Sequence, residues 1–215
     1  TENIGHMASY LRTLGNYEIC DDLTAVSWWL SQVPIPYPYK AKPDGLPEWI
    51  SFATTFSWTE KERKAREEIW RMVVDEETKN GSSLKETEYP EEALKARTQL
   101  PSQIVGSTKN YTKQGGAGIS WPGTFTPVNK WEPVYEEWKK ILTARNLSPS
   151  VRVTNYRGVH YGMLRAMIPF PKKDPASIEN ARQALVEFLK VDLVNGGIPF
   201  QPPVDFGIET TTRAP

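Results

Sequence analysis

The sequence has one cysteine, Cys20, and two histidines, His6 and His160. A single cysteine excludes an internal disulfide and fits a reducing, cytoplasmic setting. These residues are also too few for a Cys/His zinc site, so no metal centre is expected. Net charge is lacking as well: 26 Lys and Arg balance 26 Asp and Glu. Without a basic excess, neither nucleic acid nor an anionic membrane surface is an expected partner. No apolar run approaches the roughly 20 residues that cross a bilayer. The opening TENIGHMASY has neither the basic start nor the apolar stretch of a signal peptide.

What is present is enough for a folded core. The chain has 215 residues, 39% of them hydrophobic, which fits one large domain or two small ones. Eight tryptophans supply large buried area, and 18 prolines stiffen the loops.

Periodicity sets the elements. Residues 2–14 place Ile4, Met7, Ala8, Leu11 and Leu14 on one helical face. Asp22 to Leu30 reads as a strand, and Gln32 to Pro47, with five prolines, as a loop. Trp49 to Trp58 reads as a second strand. Thr59 to Glu62 forms a capping box. The helix it opens should carry Ala65, Ile69, Met72 and Val73 inward and stop near Asn80-Gly81. A short strand over 84–89 and a short helix over 90–98 close the first half.

The second half repeats the pattern. Ile119 to Val128 is a strand broken at Pro122-Gly123. A helix over 132–146 turns Val134, Trp138, Ile141 and Leu142 inward. Strands follow at 151–156 and 161–170. Asp174-Pro175 starts a helix with Ile178, Ala181, Leu185, Phe188 and Leu189 as its stripe, and 198–200 is a last strand.

The order β-α-β-β-α-β is the ferredoxin-like split unit. The first half, α-β-β-α-β, is the same unit without its first strand. The expected fold is α+β: duplicated ferredoxin-like units in one antiparallel sheet, with helices on one face. Residues 1–100 form the incomplete first unit, 101–118 a Tyr- and Gly-rich connection, 119–203 the second unit and 204–215 a tail. The absent strand implies a sequence that begins inside a larger polypeptide.

Short motifs point to a family. Tyr111 precedes Gln114 and the run Gly115-Gly116-Ala117-Gly118, followed by an aromatic strand ending in Pro127-Val128. Arg157-Gly158-Val159-His160 opens a strand, and Lys173-Asp174-Pro175 opens a helix. In this order the chain resembles the cap, or substrate, domain of flavoproteins of the vanillyl-alcohol oxidase and 4-cresol dehydrogenase type. Gln114 stands where that family carries an arginine.

The resemblance implies FAD as cofactor, held mainly by an FAD-binding domain of the same protein that this sequence does not contain. It implies hydride transfer to FAD from a small phenolic or hydroxylated aromatic substrate, with a cytochrome as one possible electron acceptor. Tyr111 matches the position where one branch attaches FAD covalently; the alternative is an ordinary loop tyrosine. Gly115, Gly116 and Gly118 would let backbone approach the cofactor, or form a plain hairpin. His160 and Arg157 would be the catalytic residues lining the pocket, against a sheet histidine and a solvated charge. Arg165 is a further candidate cation, weighed against the same solvated alternative.

Two other functions fit the pattern. One is a stand-alone dimeric α+β barrel binding a small hydrophobic ligand. The other is a binding module that exposes its tryptophans in a row.

Overall fold

The computed structural model describes residues 1–32, 34–87, 91–92, 117–120, 123–155, 160–171 and 173–199. Helix α1 (Ile4–Asn16) comes first, its start fixed by the Asn3 side chain accepting the His6 N–H. Its predicted stripe is buried as expected, Leu11 and Leu14 completely. Strand β1 (Asp22–Ser27) is shorter than the sequence implies. Trp28, Trp29 and Leu30 instead form a one-turn helix, α2 (Trp28–Ser31). Three successive apolar side chains cannot all face one side of a strand, and the turn buries all of them.

Strand β2 (Trp49–Thr54) likewise ends before Phe56 and Trp58, which are 73% and 97% exposed. Helix α3 (Glu60–Lys79) starts at Thr59, whose hydroxyl accepts the Glu62 N–H at 3.1 Å. The returning bond goes one residue further out: the Glu62 carboxylate accepts the Trp58 N–H at 3.0 Å. The inward face of α3 also differs from expectation. Val73 is buried, with Ile69, Trp70 and Val74 packed beside it, while Ala65 and Met72 are exposed. Residues 84–87 take no part in strand pairing, and the rest of the expected 84–89 strand lies outside the described residues.

The break predicted at Pro122-Gly123 separates two strands of different sheets. Strand β3 (Ala117–Ser120) precedes it and β4 (Gly123–Pro127) follows. A short 3-10 turn (Val128–Lys130) leads into α4 (Trp131–Ala144), which buries Trp131, Val134, Tyr135, Trp138 and Leu142. Then come β5 (Val151–Asn155), β6 (Tyr161–Ala166) and β7 (Ile168–Pro171). Helix α5 (Pro175–Val194) is capped by Asp174, as predicted, and buries Ala181, Ala184, Phe188 and Leu189. Ile178 is 43% exposed and falls off that stripe. Strand β8 (Ile198–Pro199) closes the described chain.

The fold is α+β. Six strands form one antiparallel sheet in the order β2-β1-β5-β6-β4-β8, and β3 pairs with β7 in a separate ribbon. The register sorts the side chains into two faces. Leu23, Ala25, Trp49, Val151, Val153, Leu164 and Ala166 point to the core that α1, α3, α4 and α5 cover. The opposite face carries Asp22, Thr24, Phe52, Arg152, Thr154, Met163, Arg165 and Phe125.

The core is dense with aromatics. Trp138 stacks on Phe188 with centroids 4.6 Å apart, and Trp49 meets Tyr135 edge-on at 4.8 Å. Among the described tryptophans, 28, 29, 49, 131 and 138 are buried, and only Trp58 is fully exposed. They form no exposed row, so the sugar- or peptide-binding module loses its basis.

Candidate functional site

The face of the sheet turned away from the four long helices, where Leu30 of α2 packs with Val26, concentrates polar chemistry at its centre. Alternation in the segment VRVTN puts Arg152 and Thr154 on this face while Val151 and Val153 enter the core. Antiparallel pairing then sets Arg152 opposite Arg165 on β6, and Thr154 opposite Thr24 on β1. Arg152 Nε donates to Thr154 Oγ1 and its Nη2 donates to Thr24 Oγ1, both at 3.2 Å. Thr24 Oγ1 in turn donates to Asp22 Oδ1 at 2.9 Å. The two threonines are buried, so this row fixes the Arg152 guanidinium against the sheet.

Arg165 leans across Gly123 on the next strand: a Cβ built at Gly123 would meet its Cγ at 3.6 Å. Like charges placed directly opposite destabilise a strand pair. Two guanidiniums in register concentrate positive charge here, with the Asp22 carboxylate at the end of the hydrogen-bonded row. Met163, Phe125 and Phe52 flank it with apolar surface. The row thus brings two guanidiniums and the Asp22 carboxylate together beside apolar side chains.

Of the predicted site residues, the structure describes His160, Gly118 and Arg165. Tyr111, Gly115, Gly116 and Arg157 lie outside the described residues. His160 is exposed at the entry to β6, and its backbone carbonyl accepts the Val128 N–H at 3.0 Å. Its neighbour Tyr161 is 44% exposed on the arginine-bearing face. Gly118 sits in the ribbon opposite Phe170, while His160 precedes Tyr161 at the start of β6. Gly118 and His160 thus lie toward opposite ends of the β6–β7 run, roughly 30 Å of extended chain at about 3.3 Å per residue. Arg165 joins the central row; Arg152, Thr24, Thr154 and Asp22 were not anticipated. The alternation in VRVTN was the available signal, but which strand faced it was not.

A second polar cluster lies on the core side. Lys139 Nζ donates to both Glu48 oxygens at 2.7 Å, and the Tyr135 hydroxyl donates to Glu48 Oε1 at 2.8 Å. Burial, reinforced by the charge of Glu48, pushes the Tyr135 phenol well above its usual range, so it stays a donor. This cluster ties the end of the proline-rich loop to α4. Among the described residues no group of His, Cys, Asp and Glu could hold a metal ion.

No family model matches the sequence, and no curated protein matches it. Solved structures do. 4-Ethylphenol oxidase from Gulosibacter chungangensis, in an isoeugenol complex, superposes over 99% of this chain with a TM-score of 0.75 at 12% identity. p-Cresol methylhydroxylase with substrate bound matches 98% of the chain at 0.65 and 14%. Alkyldihydroxyacetonephosphate synthase matches 99% at 0.55 and 9%. These are FAD-linked enzymes of the vanillyl-alcohol oxidase and p-cresol methylhydroxylase family. The chain shares their fold. It spans less than half of each, covering 45%, 44% and 40% of the three matched chains. No helix among the described residues is long and apolar enough to cross a membrane.

Proposed function

We propose that this chain is the cap domain of an FAD-linked oxidoreductase that oxidises a small phenolic substrate. The observation that carries the reading is the superposition of nearly the whole chain on two phenol-acting enzymes, with TM-scores of 0.75 and 0.65. The arginine-bearing face supports it independently. Its two arginines in register suit the negative charge of a phenolate or of a reduced flavin ring, and its aromatic flanks suit planar rings.

FAD, when bound, supplies the hydride acceptor. The residues of this chain would do the rest. Arg152, held by Thr24 and Thr154, would stabilise developing negative charge without reorganising. Arg165 would share that load. The apolar flanks would exclude water from the reacting carbon. His160 and Arg157 would act at the rim as proton-handling and anion-positioning groups. Tyr111 is proposed as the attachment point of the flavin, and Gly115, Gly116 and Gly118 as backbone that approaches it closely. An FAD-binding domain in the same polypeptide would hold the pyrophosphate. The duplicated split-unit architecture belongs to the same proposal, supported by the matching order of elements in the two halves.

The test uses the complete polypeptide that carries this sequence. It should be yellow, with flavin absorbance bleached by a 4-alkylphenol under anaerobic conditions. Colourless protein after reconstitution with FAD would overturn the reading. Yellow colour surviving acid precipitation, and lost in Tyr111→Phe, would place the covalent bond at Tyr111; attachment unchanged in that variant would exclude it.

A further inference from the structure

β2 is the outermost strand on its side of the sheet, yet its outer edge is already engaged at one end. The Trp49 N–H donates to the Thr1 carbonyl at 2.9 Å, and the Thr1 amino group donates to the Trp49 carbonyl at 3.2 Å. Two residues that exchange both backbone bonds form one rung of an antiparallel ladder. Chain leading into Thr1 is therefore aimed along β2 toward Thr54. Backbone groups alternate sides along a strand. Thr54 accepts from Asp21 on the inner side at 2.8 Å, so Ser51 and Ala53 present their N–H and C=O groups outward, like Trp49.

A groove follows this edge. A cavity of about 560 Å³ is lined by Trp49, Ser51, Phe52, Trp70, Val74 and Leu84 among others. A second, of about 370 Å³, continues along Ala53 and Thr55 and shares Trp70. Helix α3 packs on α1 and leaves this slot beside the strand. Burial lowers the pKa of the Thr1 amino group, so the position disfavours a charge and suits an amide N–H.

The second half of the sheet shows what fills the corresponding place. β1 and β5 pair at the centre, with β2 beyond one and β6 beyond the other. Helices α1 and α4 have 13 and 14 residues, and α3 and α5 have 20 each. Outside β6 lies β4, the strand that leads into α4. Val128, three residues before α4, donates to His160 just ahead of β6. Thr1, three residues before α1, bonds Trp49 at the start of β2. The groove is where the counterpart of β4 would lie.

We infer that this groove seats one extended strand, antiparallel to β2, formed by the residues joined to the amino side of Thr1 in a longer polypeptide. About five residues span Ile50 to Thr54 at about 3.3 Å each. The second and fourth before Thr1 share the helix-covered side with Trp49, beside Tyr10 and Trp70, and so are apolar. The first and third flank Ile50 and Phe52 on the other face. The added strand turns β2 from an edge into an interior strand and covers its unpaired backbone. The matched enzymes, of which this chain covers 45% or less, are chains long enough to supply such a segment.

The experiment compares residues 1–215 alone with the same residues preceded by their natural upstream sequence. Amide hydrogen exchange at Ser51 and Ala53 is expected to slow at least tenfold in the longer chain; equal rates overturn the inference. Ser51→Pro supplies a second reading, because it removes an outward N–H and spares the bonds to β1. It should lower the melting temperature of the longer chain clearly more than that of residues 1–215, where an edge proline is tolerated. An equal drop in both overturns the inference. Ser51→Ala corrects for the bond from the Ser51 hydroxyl to the Thr24 carbonyl. Neither readout involves flavin or turnover, so its failure is separable from failure of the proposed function.

Discussion

Gly162 on β6 lies directly under the indole of Trp131, so close that a Cβ built on it would stand 2.2 Å from Cζ2. Trp131 is fully buried at the start of α4, and its Nε1 donates to the Thr126 carbonyl at 3.2 Å. The indole therefore joins α4 to β4 and β6 and cannot step aside. Gly162→Ala is expected to cost about 3 kcal/mol, the upper end of overpacking penalties. Urea denaturation measures it. A loss below about 1 kcal/mol would show that the ring has room to move.

The Glu48 cluster yields a second stability prediction. Glu48 is 7% exposed and serves both Lys139 and Tyr135. Removing it leaves a half-buried ammonium and a buried hydroxyl without their acceptor. Glu48→Ala should cost about 3 kcal/mol. Glu48→Gln, which keeps an acceptor for Tyr135, should cost about half as much. Equal losses for the two variants would mean that Tyr135 gains nothing from the retained oxygen.

Much of the fold was legible in the sequence because helices α1, α4 and α5 announce themselves by strong apolar periodicity, and α3 and α5 by their caps at Thr59 and Asp174. Errors arose where packing overrode pattern. Trp28, Trp29 and Leu30 favour strand individually but are buried together, which only a turn permits. On α3, Ile69 and Val73 face the core as read, but Trp70 and Val74 join them in place of Ala65 and Met72. The candidate site was less legible for a different reason. Arg165 could be picked out singly, but its importance comes from Arg152 opposite it, and register between distant strands leaves no local trace. Thr24 and Asp22 become relevant only through that same register.

Asp192 on α5 makes stability depend on pH. It is fully buried, and burial pushes its carboxyl well above the usual range, with Thr124 opposing more weakly. The native state thus holds a proton that the unfolded chain releases near pH 4. Above that pH the unfolded chain binds fewer protons, so stability falls as pH rises toward the folded-state value, by at most about 1.4 kcal/mol per unit. Asp192→Asn keeps the shape and removes the titration. Its stability relative to the parent should improve as pH rises above 5, until the folded-state value of Asp192 is reached, read from urea midpoints. A pH-independent difference would show that Asp192 is ionised in the folded protein.

The arginine row carries the functional prediction. Arg152→Met keeps an unbranched stem on the arginine-bearing face and deletes the guanidinium that Thr24 and Thr154 hold. In the complete polypeptide it is expected to lower kcat/KM for a 4-alkylphenol by about 10- to 100-fold, or roughly 1.4–2.7 kcal/mol of transition-state stabilisation. The melting temperature should change little, since a half-exposed hydrogen bond contributes about 1 kcal/mol or less. Arg182→Met is the control, because that arginine pairs with Glu179 on the outer surface of α5 with over half its side chain exposed. If the two variants lose activity equally, the arginine-bearing face does not address the reacting groups. If Arg152→Met alone loses activity and its loss shrinks at a pH where the phenol ionises in solution, the guanidinium acts by stabilising the phenolate.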